Sequence, residues 1–191
     1  MGKDYSQSMV VACVTMGGRR TRWVWFCAAL SALVLASCRG PEPASAAKDK
    51  ETAQVHALFA EGIFDLDAAA AAAAKAAQLA TEQSGKASGE AAQAWTDVKD
   101  LLEDAGASLT EASVEVPSPE QFDAEFARFD ELRLKAIELA GDAVSGLRDA
   151  GGLARELPGG ALVAPEIEEA ISAAADGIVK LGGKVPDSEG A

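Results

Sequence analysis

The chain has 191 residues and a formal net charge of −13, with 17 Lys and Arg against 30 Asp and Glu. That balance excludes a nucleic-acid binder, which needs a basic face to displace counterions from phosphates. One histidine and three cysteines leave few side chains for metal or disulfide chemistry.

The charge is unevenly placed. Residues 1–37 hold Lys3, Arg19, Arg20 and Arg22 against Asp4, a net of +3, so the 154 residues that follow carry −16. Anionic headgroups repel such a surface, and a polybasic membrane contact is excluded for it. Arg19, Arg20 and Arg22 precede an apolar run from Trp23 to Leu35, closed by the small residues Ala36 and Ser37 before Cys38. A charged flank, a short apolar stretch and small residues, in that order, form a secretory signal. The run falls short of the roughly 20 apolar residues that a membrane span needs.

Leu35-Ala36-Ser37-Cys38 resembles the lipobox of bacterial lipoproteins. The resemblance covers residues 16–38 only. It implies cleavage before Cys38, a diacylglyceryl group on its thiol and, usually, an acylated new amine. Two or more chains anchor stably where one is marginal. It also implies a place in the cell envelope, and Arg39 after the cysteine points to the outer membrane where the envelope is Gram-negative. Cys13 and Cys27 would be removed with the signal, so Cys38 would have no disulfide partner. Residues 1–15 lengthen the charged flank and add an acid, and Met16 begins a signal of ordinary size; translation is expected to start there.

The expected organisation is a signal peptide over 1–37, a lipidated cysteine and flexible tether over 38–47, a helical domain over 48–183 and a disordered tail over 184–191. Within the domain Val55, Phe59, Ile63 and Leu66 recur at three- and four-residue steps. An alanine tract from Ala68 to Ala77, broken by Lys75, continues to about Gln83. Ser45 is a candidate cap, Gly62 and Asp65 candidate breaks. Alanine is the best helix former and lets a neighbour approach closely. Ser84 to Gly89 is a break, after which Ala91, Trp95, Val98, Leu102 and Ala105 mark a second helix that Gly106 is expected to stop. Residues 106–117 read as a connection, in which Val114-Glu115-Val116 is too short for a sheet of its own.

Ser118-Pro119-Glu120-Gln121 carries a capping-box pattern with proline at the first helical position. Behind it Phe122, Phe126 and Phe129 fall on one helical face, continued by Ile137, Ala140, Val144 and Leu147 up to Gly151-Gly152. After Pro158-Gly159-Gly160, Pro165 is expected to open a last helix bearing Ile167, Ile171, Ala174, Ile178 and Leu181. Four segments with a period near 3.5 and no competing alternation predict an all-α fold. The expected form is an antiparallel bundle of three or four helices.

Candidate chemistry is sparse. His56 has Ala53 where a Glu-x-x-His di-metal motif wants glutamate, and no second histidine or nearby cysteine completes a zinc or haem site. The acids Glu120, Asp123, Glu125, Asp130, Glu131, Glu166, Glu168 and Glu169 lack a calcium-loop spacing. Several are expected to pair along a helix, Glu125 with Arg128, Asp130 with Arg133 and Glu131 with Lys135. No catalytic residue, metal ligand or cofactor is expected. Trp95, Phe122, Phe126 and Phe129 are large side chains in an alanine-rich chain. Helix spacing accounts for them as core, and the sharper alternative is a face for a partner helix or an apolar ligand. The sequence thus points to a lipid-anchored, non-catalytic envelope protein that scaffolds or binds another protein; the alternative is a carrier of a small apolar ligand between its helices.

Overall fold

The computed structural model describes residues 44–187, with side chains from residue 50 on. Contacts divide the chain into two units, Met1–Ala47 and Lys48–Ala191. Of the first, only the opening turn of a helix is described, so Leu35, Ala36, Ser37, Cys38 and the signal peptide lie outside the described residues. The second unit is an all-α helical bundle: α1 (Ala44–Lys86), α2 (Glu90–Ala112), the short α3 (Pro119–Ala124), α4 (Phe126–Glu156) and α5 (Gly160–Lys180). The helix α1 already includes Ala44–Ala47, which the sequence suggested as tether.

Contacts between the long helices set their order and direction. A Cβ on Gly106 of α2 would stand 3.7 Å from the Ala73 Cβ of α1, and Ser84 donates to the Ala92 carbonyl at 3.1 Å. Gly146 of α4 sits as close to Ala105 of α2, 3.8 Å by the same measure. Arg155 of α4 meets Glu168 of α5, while Lys75 and Asp65 of α1 meet Glu166 and Lys180 of α5. Rising numbers on one helix therefore meet falling numbers on the next, around the ring α1, α2, α4, α5. The bundle is antiparallel with four long helices.

The core is built from small side chains. Leu66, Ala69, Ala73, Ala76 and Ala80 of α1 are fully buried, facing Leu102 and Leu109 of α2, Ala140 and Leu147 of α4, and Ala170 and Ile178 of α5. At 43 residues α1 is unbroken and runs about 65 Å at 1.5 Å per residue. Neither expected break divides it. Gly62 is buried against α5, and Asp65 holds Lys180 at 2.7 Å instead of capping.

Several boundaries differ from the sequence reading, and burial explains most of them. Helix α2 passes through Gly106 to Ala112. A mid-helix glycine costs about 1 kcal/mol relative to alanine, whereas burying one leucine yields about 1.5–3 kcal/mol. Continuing the helix buries Leu109 completely. In the same way α4 passes Gly151-Gly152 to reach Glu156, which buries Ala154. Helix α5 starts at Gly160 rather than Pro165, because Val163 is buried and Gly159, at φ +91°, makes the turn. Pro165 and Ala161 both face solvent, so the carbonyl that loses its donor there is open to water. The phenylalanine helix breaks at Glu125, whose φ of −118° and ψ of 31° separate α3 from α4.

Beyond α5 the described chain reaches Asp187. Gly182, at φ +79°, ends α5, with Gly183 N–H donating to the Ile178 carbonyl at 2.8 Å in a Schellman pattern. The chain then turns back along α4. Val185 packs on the core, and Arg148 donates to the Pro186 carbonyl at 2.9 Å.

Candidate binding cleft

At the end of the bundle where α1 enters and α2 leaves, α3 folds across the helix ends. Ser118 caps it: its hydroxyl accepts from the Gln121 N–H at 3.3 Å, and the Gln121 side chain accepts from the Ser118 N–H at 3.1 Å. His56 donates from Nε2 to the Pro117 carbonyl at 2.7 Å, tying α1 to the segment that enters α3. Its ring meets Phe122 edge-on at 5.3 Å. The single histidine is thus a strut between α1 and the 113–118 connection.

The capped helix places Phe122 among aromatic neighbours. It stacks on Phe129 at 5.7 Å, lies 5.7 Å from Phe59, and meets Phe126 edge-on at 5.6 Å. Pairs of this kind add about 0.5–1.5 kcal/mol each beyond area burial. Phe59, Phe122 and Phe129 are buried; Phe126, beyond the break at Glu125, is 50 % exposed.

Phe126 forms one wall of a solvent-open cleft of about 250 Å³. Val55 and Leu58 of α1 also line it, 38 % and 41 % exposed. Phe59, Phe122 and Phe129 make the floor, and Asp130, Arg133, Lys180, Leu181 and Gly182 the remaining rim. Val55 and Phe59 belong to the stripe that α1 buries further along at Ile63 and Leu66. The stripe outruns its partner, because α5 stops at Lys180 and the chain leaves along α4. The cleft is core surface without a covering helix.

Its polar groups are already engaged. Arg133 donates to Asp130 at 2.6 and 2.9 Å and to the Leu181 carbonyl at 2.6 Å, satisfying the end of α5. Lys180 stands 2.7 Å from Asp65 and 3.8 Å from Glu61. Asp65 chiefly, with Glu61 and Asp176 adding, holds this ammonium above the ordinary lysine range. The interior of the cleft is therefore left to apolar contact.

Two further clefts flank the 113–117 connection. One of about 410 Å³ has Phe64, 72 % exposed, beside Val114 and Val116; the other, of about 280 Å³, is lined by Glu115, Gln121, Glu125 and Arg128.

Of the four large residues singled out from sequence, three come together here and one does not. Trp95 lies near the start of α2, towards the opposite end of the bundle, and is fully buried. It is a core residue and no part of this face. Its indole N–H is buried without an acceptor among the described residues. The place of Val55, Leu58 and Arg133 in this cleft has no local signature in the sequence, because it depends on where α5 ends. The expected ion pairs Glu125–Arg128 and Asp130–Arg133 form, at 2.8 and 2.6 Å. Lys135 instead reaches Glu111 of α2 at 2.6 Å, leaving Glu131 in solvent.

Among the described residues no group of three or more His, Cys, Asp or Glu side chains is placed to hold a metal ion, and no helix is long and apolar enough to cross a membrane. No protein-family profile, curated protein or solved structure matches the chain.

Proposed function

We propose that the protein is a lipid-anchored, non-catalytic envelope protein that binds another protein through the cleft between α1 and Phe126. The anchor rests on residues 16–38: a signal peptide through Ser37, cleavage, and acylation of Cys38 by resemblance to bacterial lipoproteins. The envelope follows from the anchor, and the outer membrane from Arg39 if the cell is Gram-negative.

One observation supports binding: an apolar stripe of α1 continues past the end of α5, leaving Val55 and Leu58 partly uncovered in the cleft that Phe126 also lines. Aromatic and aliphatic side chains around a concave, partly desolvated patch are what protein interfaces use as anchors. Openness argues against the ligand carrier. Small-molecule sites bury most of their ligand's surface, and this cleft is open to solvent. The positions between the helices are filled by buried alanine, leucine, valine and isoleucine.

Two measurements test the proposal. Intact mass of the cell-derived protein should show a chain beginning at an acylated Cys38. A photo-crosslinking residue at Leu58 should join a defined partner in cells, and one at solvent-facing Gln78 should not. An unmodified thiol refutes the anchor; equal crosslinking from both positions refutes the cleft.

A further inference from the structure

The cleft takes up the first part of one face of α4. Phe126, Asp130 and Arg133 line it, and Ile137, Gly141 and Arg148 continue the same face at steps of four and seven residues. Residues 182–187, the segment beyond α5, lie over this second part. A Cβ on Gly183 would stand 2.6 Å from Ile137 Cγ2, and one on Gly141 would stand 3.6 Å from Pro186 Cγ. Val185 packs on the core, and Arg148 donates to the Pro186 carbonyl. Open cleft and covered strip are therefore two lengths of one surface.

The far end of this strap is held lightly, and its near end is shared with the cleft. Among the described residues, Arg148 makes the one hydrogen bond between residues 184–187 and the helices; Lys184 pairs with Asp187 inside the strap. At the near end Arg133 reaches both ways. Its guanidinium donates to the Leu181 carbonyl at 2.6 Å, where the strap begins, and to Asp130 at 2.6 and 2.9 Å. Leu181, Gly182, Asp130 and Arg133 all line the cleft. A docked chain end is ordinary, but here the guanidinium that fastens it also shapes the rim of an apolar opening.

We propose that residues 182–187 are a latch on the cleft, coupled to it through Arg133. Seated, the strap fills the far length of the α4 face and keeps Arg133 drawn between Asp130 and Leu181. Released at Arg148, it swings from Gly182, frees the guanidinium to turn, and lets the cleft run on over Ile137 and Gly141. From residue 126 to residue 148 that face spans about 33 Å at 1.5 Å per residue. The latch rests on the protein-binding reading and deepens it: a short segment fits the closed cleft, and a longer one must displace the strap. Seated and released are two states of one equilibrium, so whatever favours the open strap favours the open cleft.

Methyl NMR tests the coupling without a partner. The full chain, its Leu and Val methyls labelled, is held in phosphatidylcholine nanodiscs. Arg148→Ala removes the far fastening, and Gly141→Gln pushes against Pro186. Asp149→Asn, at the exposed next residue of α4, is the control. In both strap variants the Val185 methyls are expected to move towards their unfolded positions, and the Leu181, Val55 and Leu58 methyls to follow in proportion. Arg133→Met, added to Arg148→Ala, should abolish that following at Val55 and Leu58 while Val185 stays released. Should Gly141→Gln fail to fold, Arg148→Ala decides alone, since it fills no space. Cleft methyls that stay put while Val185 moves make the strap a plain chain end and overturn the latch. Val185 methyls that hold their place in Arg148→Ala overturn it too, as does a cleft that answers Asp149→Asn equally. Following that survives Arg133→Met overturns the coupling through Arg133. The binding reading is judged apart: absence of any partner crosslinked from Leu58 removes it and leaves the latch standing.

Discussion

Gly62 and Gly177 lie back to back where α1 crosses α5. A Cβ on Gly177 would stand 2.9 Å from the Gly62 carbonyl oxygen, and a Cβ on Gly62 would stand 3.1 Å from the Gly177 carbonyl oxygen. Each is also met by a leucine, Gly177 by Leu66 Cδ2 at 2.8 Å and Gly62 by Leu181 Cγ at 2.8 Å. The two backbones approach so closely that neither position has room for a methyl group.

Alanine at Gly177 therefore sets two effects against each other. Helix propensity favours the change by about 1 kcal/mol, and overpacking opposes it by about 1–3 kcal/mol. The obstacle is a backbone oxygen that cannot rotate away, so the net effect should be destabilising, by about 1 kcal/mol or more. Gly152, on the same scale of propensity, has nothing within 4 Å of its Cβ position. Gly152→Ala should stabilise by about 0.5–1 kcal/mol. Urea unfolding of the two variants checks the opposite signs.

Phenylalanines 122 and 126, four residues apart, should respond differently to truncation. Phe122 is buried among four rings, and Phe122→Ala should cost about 3 kcal/mol or more. Phe126 is half exposed, and Phe126→Ser should change stability by no more than about 1 kcal/mol. Thermal melts distinguish them, and a large loss at Phe126 would reassign that side chain from surface to core.

The cap of α3 should loosen in acid. Glu120 is held below its ordinary value of 4.5, first by its own backbone N–H, then by the Ser118 hydroxyl and the nearby His56. A carboxylate depressed by folding contributes stability above the unfolded value, and loses it as pH falls through the lower folded one. The protection of the Gln121 and Phe122 amides, relative to their intrinsic exchange rate at each pH, should therefore fall below pH 4.5, and Glu120→Gln should flatten that dependence. Ser118→Ala removes the cap itself at a cost of about 1 kcal/mol, with faster exchange across α3 at every pH.

Trp95 is the tryptophan of the bundle, and its burial should make its emission blue-shifted and insensitive to acrylamide. Trp95→Ala should destabilise by about 3–5 kcal/mol. Ready quenching in the folded protein would contradict the packing described for α2.

Periodicity carried most of the fold. The stripes through Leu66, Leu102, Val144 and Ile178 face the core as their spacing implied, and the Ser118 cap forms as its four residues suggested. Helix ends were less legible. Gly106 and Gly151 read as stops because local propensity disfavours them, yet Leu109 and Ala154 beyond them find partners on other helices. That gain is tertiary and has no local signature. The cleft was half legible for the same reason. Phe122, Phe126 and Phe129 announced an aromatic face, whereas the exposure of Val55 and Leu58 follows from where α5 happens to finish more than a hundred residues later.

The unequal length of α1 also determines how the bundle meets tension. A pull from the N-terminal side enters along the axis of its longest helix, which lies beside α2 and α5 in opposite directions. Interlocked alanines, the Gly62–Gly177 contact and the Lys75 and Lys180 ion pairs would then resist sliding together rather than peel apart one after another. Single-molecule stretching from the N-terminus should accordingly meet one cooperative rupture, at higher force than stretching that lifts α5 away from its C-terminal end.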